Sequence, residues 1–169
     1  MNSLLEITQK DFESSVSIKI NNVLEGFNIY KSIMLRPISR SIKDIENDYT
    51  KLIKDLYYLN DKNLIIDFYL SKLDDEEYKN LYNELDYGDK LILEDIKNSK
   101  PCSNYFLVKD ESIIEFLVRL SVKEIFFVSF YFIKYPLTIW GNYNYKFPLF
   151  YEKEIDDLKD KNIFNNFNI

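Results

Sequence analysis

The sequence predicts an α+β fold in a single domain spanning residues 1–169. Helices fill its first two-thirds, and an antiparallel sheet comes mainly from its C-terminal third. Three observations predict this. Apolar residues recur at the helical period in several segments of the first two-thirds. Short runs rich in aromatic and β-branched residues, bounded by Gly, Pro and Asn, concentrate after residue 124. Finally, 169 residues with 46% hydrophobic and 30% charged side chains make one globular domain of ordinary size, without linker or internal repeat.

Residues 8 to 25 carry two competing patterns. Thr8 with Asp11 resembles a capping box, and Phe12, Val16, Ile20, Val23 and Leu24 recur near the helical period. Val16, Ile18 and Ile20 also alternate, as in a strand, and Gly26 ends the element either way. Arg36-Pro37 marks a break, because the residue before proline is pushed away from helical angles. Ser41 then caps a helix whose stripe is Ile42, Ile45, Tyr49, Leu52, Ile53 and Leu56, closed by Asn60-Asp61. Leu64 to Leu70 reads as a mostly buried strand.

A second helix begins at Asp74, with Tyr78, Leu81, Tyr82 and Leu85 on one face and Gly88 as its stop. Asp89 restarts a shorter helix carrying Ile92, Leu93 and Ile96. After the Ser99-Lys100-Pro101 loop comes a strand from Asn104 to Val108. Asp110 caps a helix with Ile113, Ile114, Leu117 and Leu120 on its apolar side. Glu124 to Ile133 is a strand apolar on both faces, hence central in a sheet. Tyr135-Pro136 ends it, and Leu137–Trp140 and Phe147–Tyr151 form strands around a Gly141-Asn142-Tyr143-Asn144 turn. Glu152 to Lys161 forms a closing helix, and the end frays from about Asn162.

The residue inventory excludes much chemistry. With no histidine, neither a Ser-His-Asp triad nor a histidine-containing zinc site can form. Three glycines, at 26, 88 and 141, are too far apart for a phosphate-cradling loop, so no nucleotide cofactor is expected. A calcium loop opened at Asp74 would need Gly sixth and Glu twelfth, where Lys79 and Leu85 stand. No metal or other cofactor is therefore expected. Cys102 has no histidine to activate it, and a single cysteine suits a reducing compartment. Met1 to Phe12 has no secretory pattern, and the apolar run Ile125–Ile133 is far short of the roughly 20 residues of a membrane span. These features point to a cytoplasmic protein. The 14 Tyr and 13 Phe accompany abundant Asn, Lys and Ile, which reads as the codon usage of an AT-rich genome.

Charge is uneven. The chain carries −6, and no Lys/Arg cluster offers the footprint that nucleic acid or an anionic membrane requires. Residues 1–60 are neutral overall. Residues 74–95 hold nine acids (Asp74, Asp75, Glu76, Glu77, Glu84, Asp86, Asp89, Glu94, Asp95) against Lys79 and Lys90, a net of −7. Such a block either steers a basic protein or is a solvated helix face. Leu137 to Tyr151 also concentrates Trp140, Tyr143, Tyr145, Phe147, Phe150 and Tyr151 around one turn. Trp140 and Tyr143 are interface candidates there, and core packing is the competing reading.

The segment Ile139-Trp140-Gly141-Asn142-Tyr143 followed by Phe147-Pro148, in a small acidic chain without a catalytic constellation, resembles the immunity proteins of bacterial toxin systems, including contact-dependent growth inhibition. The resemblance implies that an acidic face meets a basic toxin domain, often a nuclease, and blocks it. It assigns no residue a role. The expected function is thus non-catalytic binding of a cognate toxin or other basic protein, through Asp74, Asp75, Glu76, Glu77, Glu84, Asp86 and Asp89 with Trp140 and Tyr143. The alternatives are a carboxylate-dependent hydrolase without a recognisable motif and a structural or regulatory accessory protein.

Overall fold

Ser41 opens the longest helix, α3 (Ile42–Leu59), its hydroxyl accepting the Asp44 backbone N–H at 3.1 Å. Ile45, Tyr49, Leu52, Ile53 and Leu56 are buried as the stripe requires. A computed structural model describes residues 3–153, 155, 158 and 162–169. Among the described residues, further helices are α1 (Gln9–Ser15), α2 (Val23–Ile29), α4 (Asp75–Glu84), α5 (Tyr87–Asn98) and α6 (Ser112–Val122). The strands are β1 (Leu4–Glu6), β2 (Lys31–Pro37), β3 (Leu64–Asp67), β4 (Tyr105–Val108), β5 (Ser129–Phe132), β6 (Leu137–Trp140), β7 (Phe147–Tyr151) and β8 (Phe167–Asn168). They form one sheet in the order β1-β4-β3-β5-β6-β7-β2-β8, antiparallel at every pairing. The fold is α+β, with most helices in the first two-thirds.

The sheet separates two apolar layers. On one face Leu64, Ile66, Phe130 and Phe132 join α3 and α6 in the main core. On the other, Ile65 and Tyr131 meet Phe12 of α1 and Val16, while Ile18 and Ile20 meet Phe150. The period-2 alternation of a strand explains how one strand feeds both layers. β5 is buried along its whole length, in the centre, as its two-sided apolar pattern requires. Of the two readings of residues 8–25, the helix is realised only over α1, which carries the Thr8/Asp11 capping box and ends at Ser15. Val16, Ile18 and Ile20 are buried at alternate positions but form no strand, because they pack on the sheet without joining its ladder. The Thr138 hydroxyl donates to the Ile18 carbonyl at 2.5 Å and ties this segment to the sheet.

Several expectations are corrected. Gly26 does not end an element but lies within α2, where a Cβ would stand 2.7 Å from the Phe150 ring, so close packing is what requires glycine. Gly88 is no stop either. α4 ends before Leu85, and Asp86 rather than Asp89 caps α5, accepting the Asp89 N–H at 2.9 Å. The strand expected from Glu124 begins only at Ser129. Residues 123–126 instead bond back to the carbonyls of Arg119, Leu120 and Ser121, with Glu124 in the left-handed region (φ 58). The strand expected over Leu64–Leu70 stops at Asp67, and Leu70–Lys72 form a single helical turn. The sheet is not mainly a product of the last third, since β1 to β4 come before Lys109. The end of the chain does not fray: Phe167 pairs with Pro37 in β8 and packs its ring 4.9 Å from that of Tyr49. The expected helix Glu152–Lys161 falls largely outside the described residues.

Gly141, after β6, donates its N–H to the Val128 carbonyl at 3.1 Å, and a Cβ there would come within 2.7 Å of that same oxygen. Because the obstacle is backbone, Gly141→Ala should lower unfolding free energy by about 2 kcal/mol. An unchanged denaturant midpoint would show that the two loops separate freely.

Candidate functional site

The acidic block folds into a helical hairpin. Asp74 and Glu77 close a reciprocal capping box on α4, with bonds of 2.8 and 3.0 Å. Leu85 and Asp86 make the turn into α5, whose chain runs back along α4. The Tyr82 hydroxyl donates to Glu94 at 2.7 Å, Lys90 lies over the Tyr82 ring at 5.0 Å, and Lys97 lies over the Tyr78 ring at 3.3 Å. Two lysines of the hairpin are thus folded onto tyrosines. Asp74, Asp75, Glu76, Glu77, Glu84 and Asp86 are exposed. The Asp86 carboxyl is held below the usual carboxylate range, first by the Asp89 backbone N–H and further by nearby Arg119 and Lys123.

Asp89 does not belong to this surface. It is only 3% exposed and accepts two bonds from Arg119 of α6, from Nε at 2.8 Å and Nη2 at 3.0 Å. The carboxylate fastens α5 to α6 and is closed to a partner. Trp140 is also mainly structural, packing beside Ile18, Ile20 and Phe150. Tyr143 is 59% exposed, its ring edge-on to Phe127 with centroids 4.6 Å apart, and its turn is held by the Asn144 N–H donating to Glu124 at 2.6 Å.

The two features read separately from the sequence meet at Tyr69. Its ring lies against Phe126 at 4.2 Å, and its hydroxyl is raised in pKa by burial and by the charges or dipoles of Asp67, Tyr143 and Glu77. Asp67 is the residue that sequence reasoning missed. At the end of β3 it is paired across the sheet with Tyr105 on one side and Ser129 on the other, and Ser129 is in turn paired with Trp140. Neighbours directly opposite on a sheet face lie within side-chain reach. Its Oδ1 is buried and accepts no hydrogen bond. Burial pushes the carboxyl from 3.8 up to about 6, with Lys72 pulling in the opposite direction. The cause is lost solvation, not a second carboxylate. The signal was present in Leu64–Leu70, where Asp67 is a lone charge in an apolar run.

Elsewhere, a groove of about 590 Å³ beside β1 is lined by Leu5, Leu91, Ile92, Ile96, Phe106 and Ile113, with Glu6 and Asp95. Glu6 is occupied, accepting the backbone N–H groups of Cys102 and Ser103 at 2.8 and 2.6 Å. Cys102 is exposed. Among the described residues no cluster of three acidic or cysteine side chains is placed to hold a metal ion, and no helix is long and apolar enough to cross a membrane. Comparison with protein-family models, with curated proteins and with solved structures gives no significant match.

Proposed function

We propose that this chain is a non-catalytic protein-binding inhibitor of the immunity type, acting in the cytoplasm, which captures a basic toxin domain on its α4–α5 hairpin. The observation that carries this reading is the asymmetry of the hairpin: Lys90 and Lys97 lie over Tyr82 and Tyr78, while the carboxylates from Asp74 to Glu77, with Glu84 and Asp86, are on its surface. On this face six exposed carboxylates outnumber the exposed Lys79 and Lys97, and the excess projects a negative potential over roughly 8 Å at physiological salt. It accelerates encounter with a basic partner, and aromatic contacts near Tyr143 then slow release.

The residues that test the reading are those with no structural bond to lose. Glu77, Asp86 and Asp89 hold caps or an ion pair, so neutralising them confounds binding with folding. Asp75, Glu76 and Glu84 do not, and the Asp75→Asn/Glu76→Gln/Glu84→Gln variant should fold normally. With a basic protein domain captured from the native host as partner, stopped-flow mixing should show association slowed about tenfold at 50 mM salt, converging with the parent at 500 mM. Equal rates at both salt concentrations would reduce the acidic face to solvated surface.

A further inference from the structure

We propose that the free edge of β1 takes up an extended segment of a partner protein as an additional strand. Apolar side chains of that segment enter the groove between β1 and α5, and a basic side chain meets the groove's carboxylates. β1 ends the sheet on its side, and β4 is its one neighbour among the described strands. The Lys109 N–H donates to the Ser3 carbonyl at 2.8 Å, and the Ile7 N–H donates to the Tyr105 carbonyl at 3.0 Å. Residues 3, 5 and 7 therefore turn their backbone groups towards β4. Leu4 and Glu6, at the alternate positions, turn theirs outward, where no described strand meets them. Their side chains stand opposite Val108 and Phe106, which belong to the main core, so they lie on the helix-covered face. On that same face is the groove of about 590 Å³, walled by Ile92, Ile96 and Ile113 of α5 and α6. Side chains of an added strand placed opposite Leu4 and Glu6 point into it. Leu5, 50% exposed on the other face, packs beside the alternate set. An open ladder with a groove beneath it is the arrangement used in strand addition: main-chain bonds give affinity, and alternate side chains give selectivity.

Charge decides the occupant. The groove is lined by two carboxylates, Glu6 and Asp95, and by no lysine or arginine. Glu6 is fixed in place by the Cys102 and Ser103 backbone N–H groups, which orient its charge without neutralising it. A second copy joined edge to edge would bring the Glu6 side chains of both chains to one junction and add −6 to −6. A helix laid in the groove would leave the outward N–H and carbonyl groups of Leu4 and Glu6 unpaired. An extended segment with apolar residues at alternate positions and a lysine or arginine next on the same face satisfies ladder, groove and charge together. The inference goes beyond the acidic-face reading, because Asp75, Glu76 and Glu84 do not line this groove. α5 is common to both surfaces, so one basic partner can reach from the hairpin to this edge.

The probe is an end-blocked hexapeptide, Thr-Val-Thr-Val-Thr-Lys, whose valines and lysine share one face. It is titrated to about 5 mM into the intact protein at 150 mM salt and followed by amide NMR. The Leu4 and Glu6 amide signals should shift, and a peptide ending in glutamate should bind about tenfold more weakly. N-methylation removes the donors of one alternate set. Methylating either the valines or the threonines should abolish binding, and methylating the other set should change it less than about twofold. Leu91→Lys, at a half-exposed position of the groove wall, should weaken binding about tenfold without moving the denaturant midpoint. Asp75→Asn/Glu76→Gln/Glu84→Gln should bind the peptide within about twofold of the parent. Unshifted Leu4 and Glu6 signals, equal effects of the two methylation patterns, equal binding of the two peptides or undiminished binding by Leu91→Lys each overturn the inference. They leave the acidic-face reading standing, since the triple variant tests that separately. Leu4 and Glu6 signals that move with protein concentration alone assign the edge to a second copy and overturn it as well.

Discussion

Asp67→Asn is expected to raise the unfolding free energy by about 3 kcal/mol at pH 8, an unusual gain for a single substitution. The carboxyl titrates near 6 in the folded protein against 3.8 when solvated, so the folded state binds the proton more tightly than the unfolded chain. For a group shifted upward, the sign is fixed. Its contribution to stability is fully present below pH 3.8, is lost as pH rises towards 6, and changes no further above that. Above pH 6 the parent carries a half-buried charge with an unbonded oxygen, and the amide removes that charge. Denaturant melts at pH 4, 6 and 8 should therefore show parent and variant diverging with pH. Parallel curves would mean that the carboxylate is better solvated than its surroundings imply.

Asp89→Ala should have the opposite effect, a loss of about 3 kcal/mol or more. The partner guanidinium of Arg119 is mostly covered, and the Asp89 carboxylate beside it helps hold Arg119 protonated. Removing Asp89 strands that charge between α5 and α6 without its two-bond acceptor. The control is Asp89→Leu combined with Arg119→Leu, which removes both charges and should recover most of the loss. If the single substitution lowers the unfolding free energy by less than about 1 kcal/mol, solvent already supports the arginine and the helices are held by apolar packing alone. Association of the Asp89→Leu/Arg119→Leu protein with a basic partner should be close to that of the parent, since Asp89 is buried and not on the exposed acidic face.

Local signals were legible where local physics decides. Ser41, Asp74 and the stripe from Ile45 to Leu56 specify α3 and the start of α4 through bonds that close within one turn. The two-sided apolar pattern gave β5 its central place. What escaped was decided across the chain. Gly26 looked like a terminator because glycine at a helix end and glycine under an aromatic ring are identical in sequence, and only Phe150 separates the cases, while Gly88 lies in the first turn of α5, which Asp86 caps. β2 and β8 have mixed exposure and little alternation, and each exists because a distant strand offers it a ladder. The acidic face was half legible: the carboxylates from 74 to 77 are exposed as expected, but Asp89 was miscounted because Arg119 lies thirty residues further on. Asp67 gains its meaning from Tyr105 and Ser129, on two strands that no local window joins to it.

The placement of β2 between β7 and β8 sets an order of events during synthesis. Residues 4–108 already contain β1, β3 and β4, which are neighbours in the sheet and can pair before later strands leave the ribosome. Residues 31–37 have no such early partner. They emerge before α3, yet must wait for residues 147–151 and 167–168 to find both of their ladders. Through most of translation the Ile33-Met34-Leu35 stretch is therefore an unpaired strand, the kind of segment that chaperones hold and that aggregates engage. Closing so distant a pair is entropically slow, which makes the final zippering of β2 the natural bottleneck of folding.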